Sequence, residues 1–421
     1  MKISKIVLTL IAAGMGAGLV PAAHAADVDR LTQLEQQLKA LQQEIQAMKA
    51  ASAKEIADIR DQATAQVKES VVGGDIPNSF RMPGSETSVR IYGYAEANLI
   101  KDFKGTAPGD MFTNLPEQPL KSSNPDEGKS VMTGQTSRFG FETSTPTAVG
   151  PIHTQIEGDF YAYGTTSRNR FRLRQAYGEY AGWLIGQTWS TFMDLDDGPE
   201  TADFNGPIGM PFARPVQIRY TYALPSGATF KAALENGSDG AQRPNLVLAA
   251  SKTFDWGGVN ARLVSHDQRN GAASKSGGGF GLGGSYKLTG SLTFMGQYAE
   301  VDGDNDNALM YGANYPDWST GAMLLDKSRG FVLGLTNVYS EKLRTTLAYG
   351  SVESQLGASD ALTALTWPGN KKLEQWHLNF FYTPIKNVDL AAELIGGKRT
   401  TFTGETGDLS RLNLLARYTF N

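Results

Sequence analysis

The sequence contains no cysteine among its 421 residues. This absence excludes a disulfide framework, thiol catalysis and zinc sites built from cysteine ligands. No stretch after residue 25 approaches the roughly 20 consecutive apolar residues of a membrane-spanning helix. An excess of one charge is also missing, because 39 basic residues stand against 43 acidic ones. Such a balance produces no strong field toward nucleic acid, so we expect no nucleic-acid partner.

The sequence also lacks the motifs of an enzyme. It has no phosphate-cradling glycine loop, zinc spacing or dinucleotide-binding pattern. His153, His266 and His377 are far apart in the chain, and no serine lies in a nucleophile motif. We therefore expect no catalytic residue, no cofactor and no metal. Alternating acidic residues over 302–307 keep a divalent ion open as an alternative, although Ala313 stands where a calcium loop has its glutamate.

The N-terminus has the pattern of a secretory signal peptide, which we assign to residues 1–25. Lys2 and Lys5 precede an apolar run, and Ala23-His24-Ala25 is a small-x-small cleavage pattern. The apolar run is too short to span a membrane, so we expect a mature chain that starts near residue 26. Removing the two lysines leaves 37 basic residues and a net charge of about −6.

Residues 26–70 have the composition of a long helix, rich in Gln, Ala, Lys and Glu. Six apolar residues are spaced 3,4,3,4,3 apart, which is the a/d pattern of a coiled coil. These candidate oligomerisation residues are Leu31, Leu34, Leu38, Leu41, Ile45 and Met48. Mixed Leu and Ile at such positions permit trimers, so we predict a periplasmic coiled coil. The alternative is a helix packed on its own barrel. A glycine-rich linker is predicted over 71–87.

From Val89 to Phe420 the chain alternates apolar and polar residues in about sixteen segments. In the first segment Ile91, Ala95 and Leu99 fall on one face, while Arg90 and Glu96 fall on the other. The predicted strands are 88–100, 134–143, 150–162, 169–181, 182–190, 215–224, 228–236, 245–255, 257–267, 279–288, 290–302, 328–340, 342–354, 373–384, 386–399 and 408–420.

The connections between these segments are alternately tight and long. Tight turns include 181–182, 225–227 and 289–290, and long connections include 101–133 and 191–214. Periplasmic turns and external loops of outer-membrane barrels differ in this way. We therefore predict an all-β fold, a 16-stranded antiparallel transmembrane barrel over 88–421. A soluble β-sandwich, the alternative, would not keep this alternation of loop length.

Arginines concentrate on polar strand faces. Arg170, Arg172 and Arg174 are two residues apart, and the intervening Phe171 and Leu173 suit lipid. An arginine facing lipid at the bilayer midplane costs about 2–4 kcal/mol, so the three arginines are expected to point inward. Three further arginines lie on polar faces, namely Arg138, Arg219 and Arg262.

The connection 191–214 follows the fifth predicted strand and is acidic and rich in Gly and Pro. Its acidic residues are Asp194, Asp196, Asp197, Glu200 and Asp203, and Arg214 ends it. A long acidic loop at this place resembles the constriction loop of trimeric general porins. With the signal peptide, coiled coil and linker, the whole chain resembles the DcaP-like porin family.

The resemblance implies a trimer with a periplasmic coiled coil and a preference for small anions such as dicarboxylates. In such porins the constriction loop faces an arginine cluster, so the five loop acids would oppose Arg170, Arg172 and Arg174. Outer-membrane lipids and lipopolysaccharide would surround the barrel. A guanidinium matches carboxylate or phosphate, and a row of weak sites allows conduction.

Three alternatives remain open. The arginines and acids could simply pair and stiffen the barrel wall. A sugar-selective channel would need aromatic residues along the lumen, for which Tyr92, Tyr94, Tyr161 and Tyr163 are candidates. A structural role would make the barrel an anchor whose coiled coil reaches peptidoglycan or a periplasmic partner.

Overall fold

The computed structural model describes residues 24–70, 72–105, 113–121, 129–162, 170–237, 241–270, 273–303, 309, 325–356 and 369–420. The chain divides into one unit that ends at Val71 and a second that begins at Val72. The predicted signal peptide lies outside the described residues, apart from its last two positions.

The first unit is a single helix, α1, over His24–Ser70. Leu38, Leu41, Ile45 and Met48 on this helix are all exposed. The predicted helix is therefore confirmed, while its self-association stays a prediction. Within the described residues, no helix combines the length and the apolar character needed to cross a bilayer.

The second unit is one antiparallel sheet that closes on itself, because the last strand pairs with the first long one. The strands are β1 Phe80–Arg81, β2 Ser88–Lys104, β3 Ser130–Thr133, β4 Arg138–Thr145, β5 Ile152–Asp159, β6 Arg172–Tyr180, β7 Trp183–Gln187, β8 Val216–Ala223, β9 Ala228–Glu235, β10 Asn245–Phe254, β11 Gly257–Asn270, β12 Ala273–Lys287, β13 Leu292–Asp302, β14 Lys327–Ser340, β15 Leu343–Gln355, β16 Asn370–Tyr382, β17 Val388–Thr401 and β18 Thr406–Phe420. The short β1 pairs antiparallel with the start of β2 and is not counted as a barrel strand, and β3 and β4 pair with successive parts of β2 as one interrupted strand. Sixteen barrel strands result, so the prediction is confirmed.

The two faces of the sheet differ as the alternation predicted. On β2, Glu96 and Asn98 are buried inside, while Ile91 and Leu99 on the other face are exposed. Exposed aromatic side chains collect near the short turns, and they include Trp183, Tyr220, Trp256, Tyr286, Tyr339, Tyr382 and Tyr418. Trp183 packs on Tyr220 with ring centroids 4.9 Å apart. Amphipathic rings of this kind mark the membrane interface of outer-membrane barrels.

Most strands begin or end a few residues away from the predicted bounds, and two strands depart from the prediction further. The predicted strand 134–143 begins only at Arg138, because residues 134–137 form a turn whose Ser137 hydroxyl bonds the backbone of Glu96. The residues before this turn, Ser130–Thr133, form a strand inside the predicted connection 101–133. The predicted strand 279–288 begins six residues earlier, at Ala273. Its glycine run looks like a loop in the sequence, but the backbone pairs regularly with β11 through those glycines.

Candidate functional site

The connection between β7 and β8, residues 188–215, lies inside the barrel. Gln297 Nε2 on β13 donates to the carbonyl of Asp194 at 2.9 Å. On β16, Asn379 Nδ2 donates to the carbonyl of Glu200 at 2.8 Å. The amide of Asn413 on β18 reaches the carbonyl of Ala202 at 3.2 Å. Because these donors belong to the inner faces of well-separated strands, the connection crosses the lumen, and we name it the inner loop.

Glycines on the inner wall make room for the inner loop. A Cβ on Gly350 would overlap the carbonyl oxygen of Ile208, and one on Gly330 would lie 2.7 Å from the carbonyl of Gly209. Gly209 itself has a φ of +98°, a backbone conformation that favours glycine. The wall and the loop therefore touch backbone to backbone, which fixes how far the loop stands from the wall.

A buried carboxylate on β17 anchors the middle of the loop. Glu393 accepts the backbone N–H of Ala202 at 2.9 Å and of Asp203 at 2.8 Å. Asn379 Nδ2 donates to the same carboxylate at 3.0 Å, and His377 Nδ1 lies 3.2 Å from it. Glu393 and His377 are fully buried. Charge-assisted bonds to backbone N–H groups are strong in such surroundings, so this cluster holds the loop in place.

The acidic residues of the inner loop do not contact Arg172 and Arg174 on β6 but other parts of the barrel. Asp194 and Asp197 both accept from Asn260 Nδ2, at 2.6 and 2.8 Å. Burial and the neighbouring Asp197 raise the pKa of Asp194 to about 6. Glu200 pairs with Arg344 through two bonds of 2.7 Å.

Two loop acids remain. Asp203 is buried and accepts the backbone N–H of Thr113 at 2.9 Å, and burial raises the pKa of its carboxyl. Asp196 is exposed and donates its backbone N–H to Asp194. The loop acids therefore contact several different strands, and they do not lie together opposite Arg172 and Arg174.

The arginines of β6 find their carboxylates on the adjacent strand β5. Arg172 holds Asp159 with two bonds, of 2.9 and 2.6 Å. Arg174 bonds Glu157 at 2.9 Å and Asp159 at 3.0 Å. Arg138 on β4 lies 3.5 Å from Glu157. The sequence alone does not pair these acids with the arginines, because strand register is not visible in a local pattern.

Aromatic rings alternate with these guanidinium groups in a continuous stack. Arg174 lies over Trp189 at 5.5 Å and over Phe204 at 5.5 Å, and Arg172 lies over Phe204 at 5.7 Å. Arg214 also lies over Trp189, with its guanidinium carbon 4.7 Å from the ring centroid. The stack, which we name the arginine–aromatic ladder, comprises Tyr161, Arg172, Phe204, Arg174, Trp189, Arg214 and Phe212. Cation–π contacts hold these guanidinium planes in fixed orientations.

Comparisons with known proteins now bear on this barrel and its loop. The model of the DcaP outer membrane protein family matches residues 22–420. The chain belongs to this family. The outer membrane channel DcaP of Acinetobacter baumannii is 27% identical, with a TM-score of 0.75, over 83% of this chain and 100% of that one. This chain is therefore an outer-membrane channel with a porin fold.

More distant structures support the fold alone. OmpT of Vibrio cholerae with loop L8 deleted is 16% identical, with a TM-score of 0.53, over 79% of this chain and 99% of that one. Salmonella typhi OmpF in complex with daunomycin is 14% identical, with a TM-score of 0.53, over 79% and 98%. Curated proteins gave no match.

Within this DcaP-family barrel, Arg214 differs from the other arginines. Among the residues that the structure describes, it forms no hydrogen bond or ion pair, and its Nη1 is buried. Burial and the nearby Arg174 and Arg172 lower its pKa to about 9, so the group is still a cation at pH 7. It also lines a cavity of about 260 Å³ together with Ser190 and Phe192.

The remaining candidate arginines lie apart from the ladder. Arg219 on β8 is 3.5 Å from Glu179, and Arg262 on β11 is buried and donates to the carbonyl of Phe192 at 3.1 Å. Arg170 is exposed, two residues before β6 begins. Sequence reasoning missed Trp189, which it placed in the predicted strand 182–190, and Phe204 and Phe212, which it placed in the acidic loop 191–214. Most of the acidic segment over 302–307 lies outside the described residues.

Proposed function

We propose that this channel passes small hydrophilic solutes by passive diffusion and prefers anions, dicarboxylate-like solutes in particular. Arg214 carries the proposal, because it is a cation on the inner loop without a carboxylate partner among the described residues. Around it stand Arg138, Arg172 and Arg174, whose ion-pair partners within the described residues are Glu157 and Asp159. Four cations against two anions give the constriction a local positive charge.

The ladder supports conduction as well as attraction. An anion that meets Arg214 can pass to Arg172, whose side chain is partly exposed and whose partner Asp159 weakens its hold, while the buried Arg174 adds positive charge behind them. Conduction requires sites that are weak and multiple. The aromatic rings keep each guanidinium extended, so little side-chain entropy is lost when an anion binds.

Reversal potentials in a salt gradient across a planar bilayer test this proposal. Arg214→Gln is expected to reduce the anion-to-cation permeability ratio severalfold, and Arg170→Ala, Arg172→Ala and Arg174→Ala together to reduce it further. The matched control is Arg329→Gln, which removes an arginine from the outer face of β14. Strong cation selectivity in the native channel, unchanged by these substitutions, would contradict the proposed preference for anions.

A sugar-selective channel is favoured by one observation, the aromatic rings that line the ladder. Tyr161 and Tyr94 are both engaged by arginines, at 5.2 Å from Arg172 and 5.1 Å from Arg138. Rings covered by cations leave less open face for stacking a sugar. Liposome swelling with neutral sugars against dicarboxylates of similar size separates the two, and faster swelling with sugars would favour the alternative.

We further propose that the exported chain assembles as a homotrimer in the outer membrane, surrounded by its lipids and lipopolysaccharide. The signal peptide would direct export, and the exposed apolar residues of α1 would form a periplasmic coiled coil. A tether to peptidoglycan or a periplasmic partner is the structural alternative. Co-sedimentation with peptidoglycan that disappears when residues 27–70 are deleted would support that tether.

A further inference from the structure

Four strands carry charged side chains on the outer face of the barrel, where apolar residues would otherwise meet lipid. Glu300, Arg329, Glu353 and Lys372 are successive cross-strand neighbours on β13, β14, β15 and β16. The residues on both sides of the first three are buried in the wall, so these side chains point outward. We name these four residues the charged row. It lies close to the strand ends that lead into long connections.

The charged row retains hydrogen-bonding capacity although each of its members already has an ion-pair partner. Arg329 Nη2 bonds Glu353 at 2.8 Å, yet the two side chains are 49% and 32% exposed. Lys372 Nζ bonds Glu374 at 2.8 Å with 41% of its side chain exposed. One step beyond the row, Lys327 Nζ bonds Glu300 at 3.0 Å. A guanidinium has five N–H donors and an ammonium three, so donors remain for an incoming phosphate.

An apolar groove lies below the charged row on the same outer face. Gly284 on β12 and Gly296 on β13 are direct cross-strand neighbours, and their missing side chains leave a trough. The groove holds about 510 Å³ and is lined mainly by aromatic and aliphatic residues such as Leu282, Tyr298 and Leu333. Gly296 precedes Glu300 by four residues, which is about 14 Å along a strand at 3.4 Å per residue. That depth lies within one leaflet of a hydrocarbon core about 30 Å thick.

We propose that the charged row and the groove bind lipopolysaccharide of the outer leaflet, with phosphates on the row and an acyl chain in the groove. Lys327 and Arg329 on β14 and Lys372 on β16 place three cations on two strands that lie roughly 10 Å apart, at about 4.8 Å between neighbouring strands. A headgroup with several phosphates can contact cations spaced in this way, whereas a phospholipid offers one phosphodiester. The inference rests on the outer-membrane location and on long loops being external, and not on the solute that the channel prefers.

Two substitutions that break the same ion pair give opposite expectations. Arg329→Gln removes a phosphate-binding cation, while Glu353→Gln removes the anion that competes with phosphate. Full-length protein in detergent is titrated with lipopolysaccharide, and binding is followed by native mass spectrometry. A basic residue near an anionic membrane surface contributes about 1 kcal/mol, which corresponds to roughly fivefold in affinity. We expect Arg329→Gln to weaken binding about fivefold and Glu353→Gln to leave it equal or tighter. Equal loss in both variants would mean that the pair serves only the barrel, and would overturn the proposal.

The groove and the choice of lipid are tested separately. Gly296→Leu fills the trough without touching the charged row, and its binding is expected to fall while its gel mobility stays that of a folded barrel. Phosphatidylglycerol is the comparison lipid, and binding as tight as that of lipopolysaccharide would contradict the assignment. Because the chain has no cysteine, Leu282→Cys reports on the groove alone. Efficient crosslinking between two copies at this position would show that protein covers the groove, which would also overturn the proposal.

Discussion

Asp194 is the loop residue at which pH should change the charge of the lumen. Burial and Asp197 raise its pKa to about 6, against about 3.9 for an unperturbed aspartate. A raised folded-state pKa means that the docked loop binds this proton more tightly than the undocked one. The loop therefore gains stability as pH falls from about 6 toward 4, and it loses that contribution above pH 6.

We expect the channel to become more anion-selective when pH falls from 7.5 to 5, because protonation of Asp194 removes one negative charge from the lumen. Reversal potentials at the two pH values measure this step. Asp194→Asn should abolish the step and hold the channel at its low-pH selectivity. Asp196→Asn removes an exposed carboxylate from the same loop and should leave the step in place. If the anion selectivity of Asp194→Asn still rose between pH 7.5 and 5, the rise would be due to another titratable group.

Gly350 determines how closely the inner loop can approach the wall. A side chain there overlaps the carbonyl oxygen of Ile208, which is backbone and cannot rotate away. Overpacking of this kind costs about 1–3 kcal/mol. Gly350→Val should displace the loop, increase single-channel conductance and lower the temperature at which the barrel unfolds on a gel. Gly290→Ala, in a turn with open space around it, is the matched control. Conductance equal in both variants would contradict a fixed loop position.

The helix α1 makes a prediction at the scale of an element. Leu41 and Ile45 are 60% and 41% exposed, although apolar residues of a stable helix normally need a partner surface. Leu41→Lys with Ile45→Lys should therefore lower the temperature at which the proposed trimer dissociates on a gel. Gln43→Lys with Gln46→Lys adds the same charge outside the a/d positions and should have little effect. An oligomer equally heat-resistant in both would remove the coiled coil from assembly.

The elements differ in how far sequence could predict them. The strands could be predicted from their alternation because the two faces of the barrel meet different surroundings, with lipid outside and water or the loop inside. The sequence predicted where the inner loop lies along the chain, but not which strands it contacts. Contacts such as that of Glu200 with Arg344 join residues 144 positions apart. The start of β12 was predicted six residues too late for a related reason. Glycine weakens a strand locally, and only the pairing with β11 shows that the strand continues.

The arginines of β6 show how far the sequence predicts the candidate site. Their inward direction could be predicted from the cost of arginine in lipid, but their ion-pair partners could not. Asp159 reaches both Arg172 and Arg174 because a bulge shifts the register between β5 and β6 beside Glu157. The bulge places Arg174 and Gln175 side by side on the buried side of the wall. A strict two-residue alternation places neighbouring residues on opposite faces, so it could not predict the bulge or the ladder that depends on it.

At the scale of the whole molecule, the barrel depends on the seam between β2 and β18. An open edge within the bilayer would leave backbone groups unpaired, at several kcal/mol each. Arg411 on β18 and Asp102 on β2 reinforce the seam with bonds of 2.6 and 3.0 Å, and both side chains are buried. These residues lie more than 300 positions apart, so the pair forms only when the two ends of the barrel meet.

Breaking this buried pair should therefore affect closure of the entire barrel. Removing one partner of a buried ion pair costs about 3–5 kcal/mol, while replacing both with apolar residues is often neutral. Arg411→Ala should lower the unfolding temperature on heated gels and slow the appearance of the folded band during refolding. Arg411→Leu with Asp102→Leu should recover most of the loss, because no buried charge is left without a partner. Arg329→Ala breaks a surface pair worth at most about 1 kcal/mol and serves as the control. If Arg411→Ala behaved like that control, backbone pairing alone would hold the seam, and the ion pair would contribute nothing to closure.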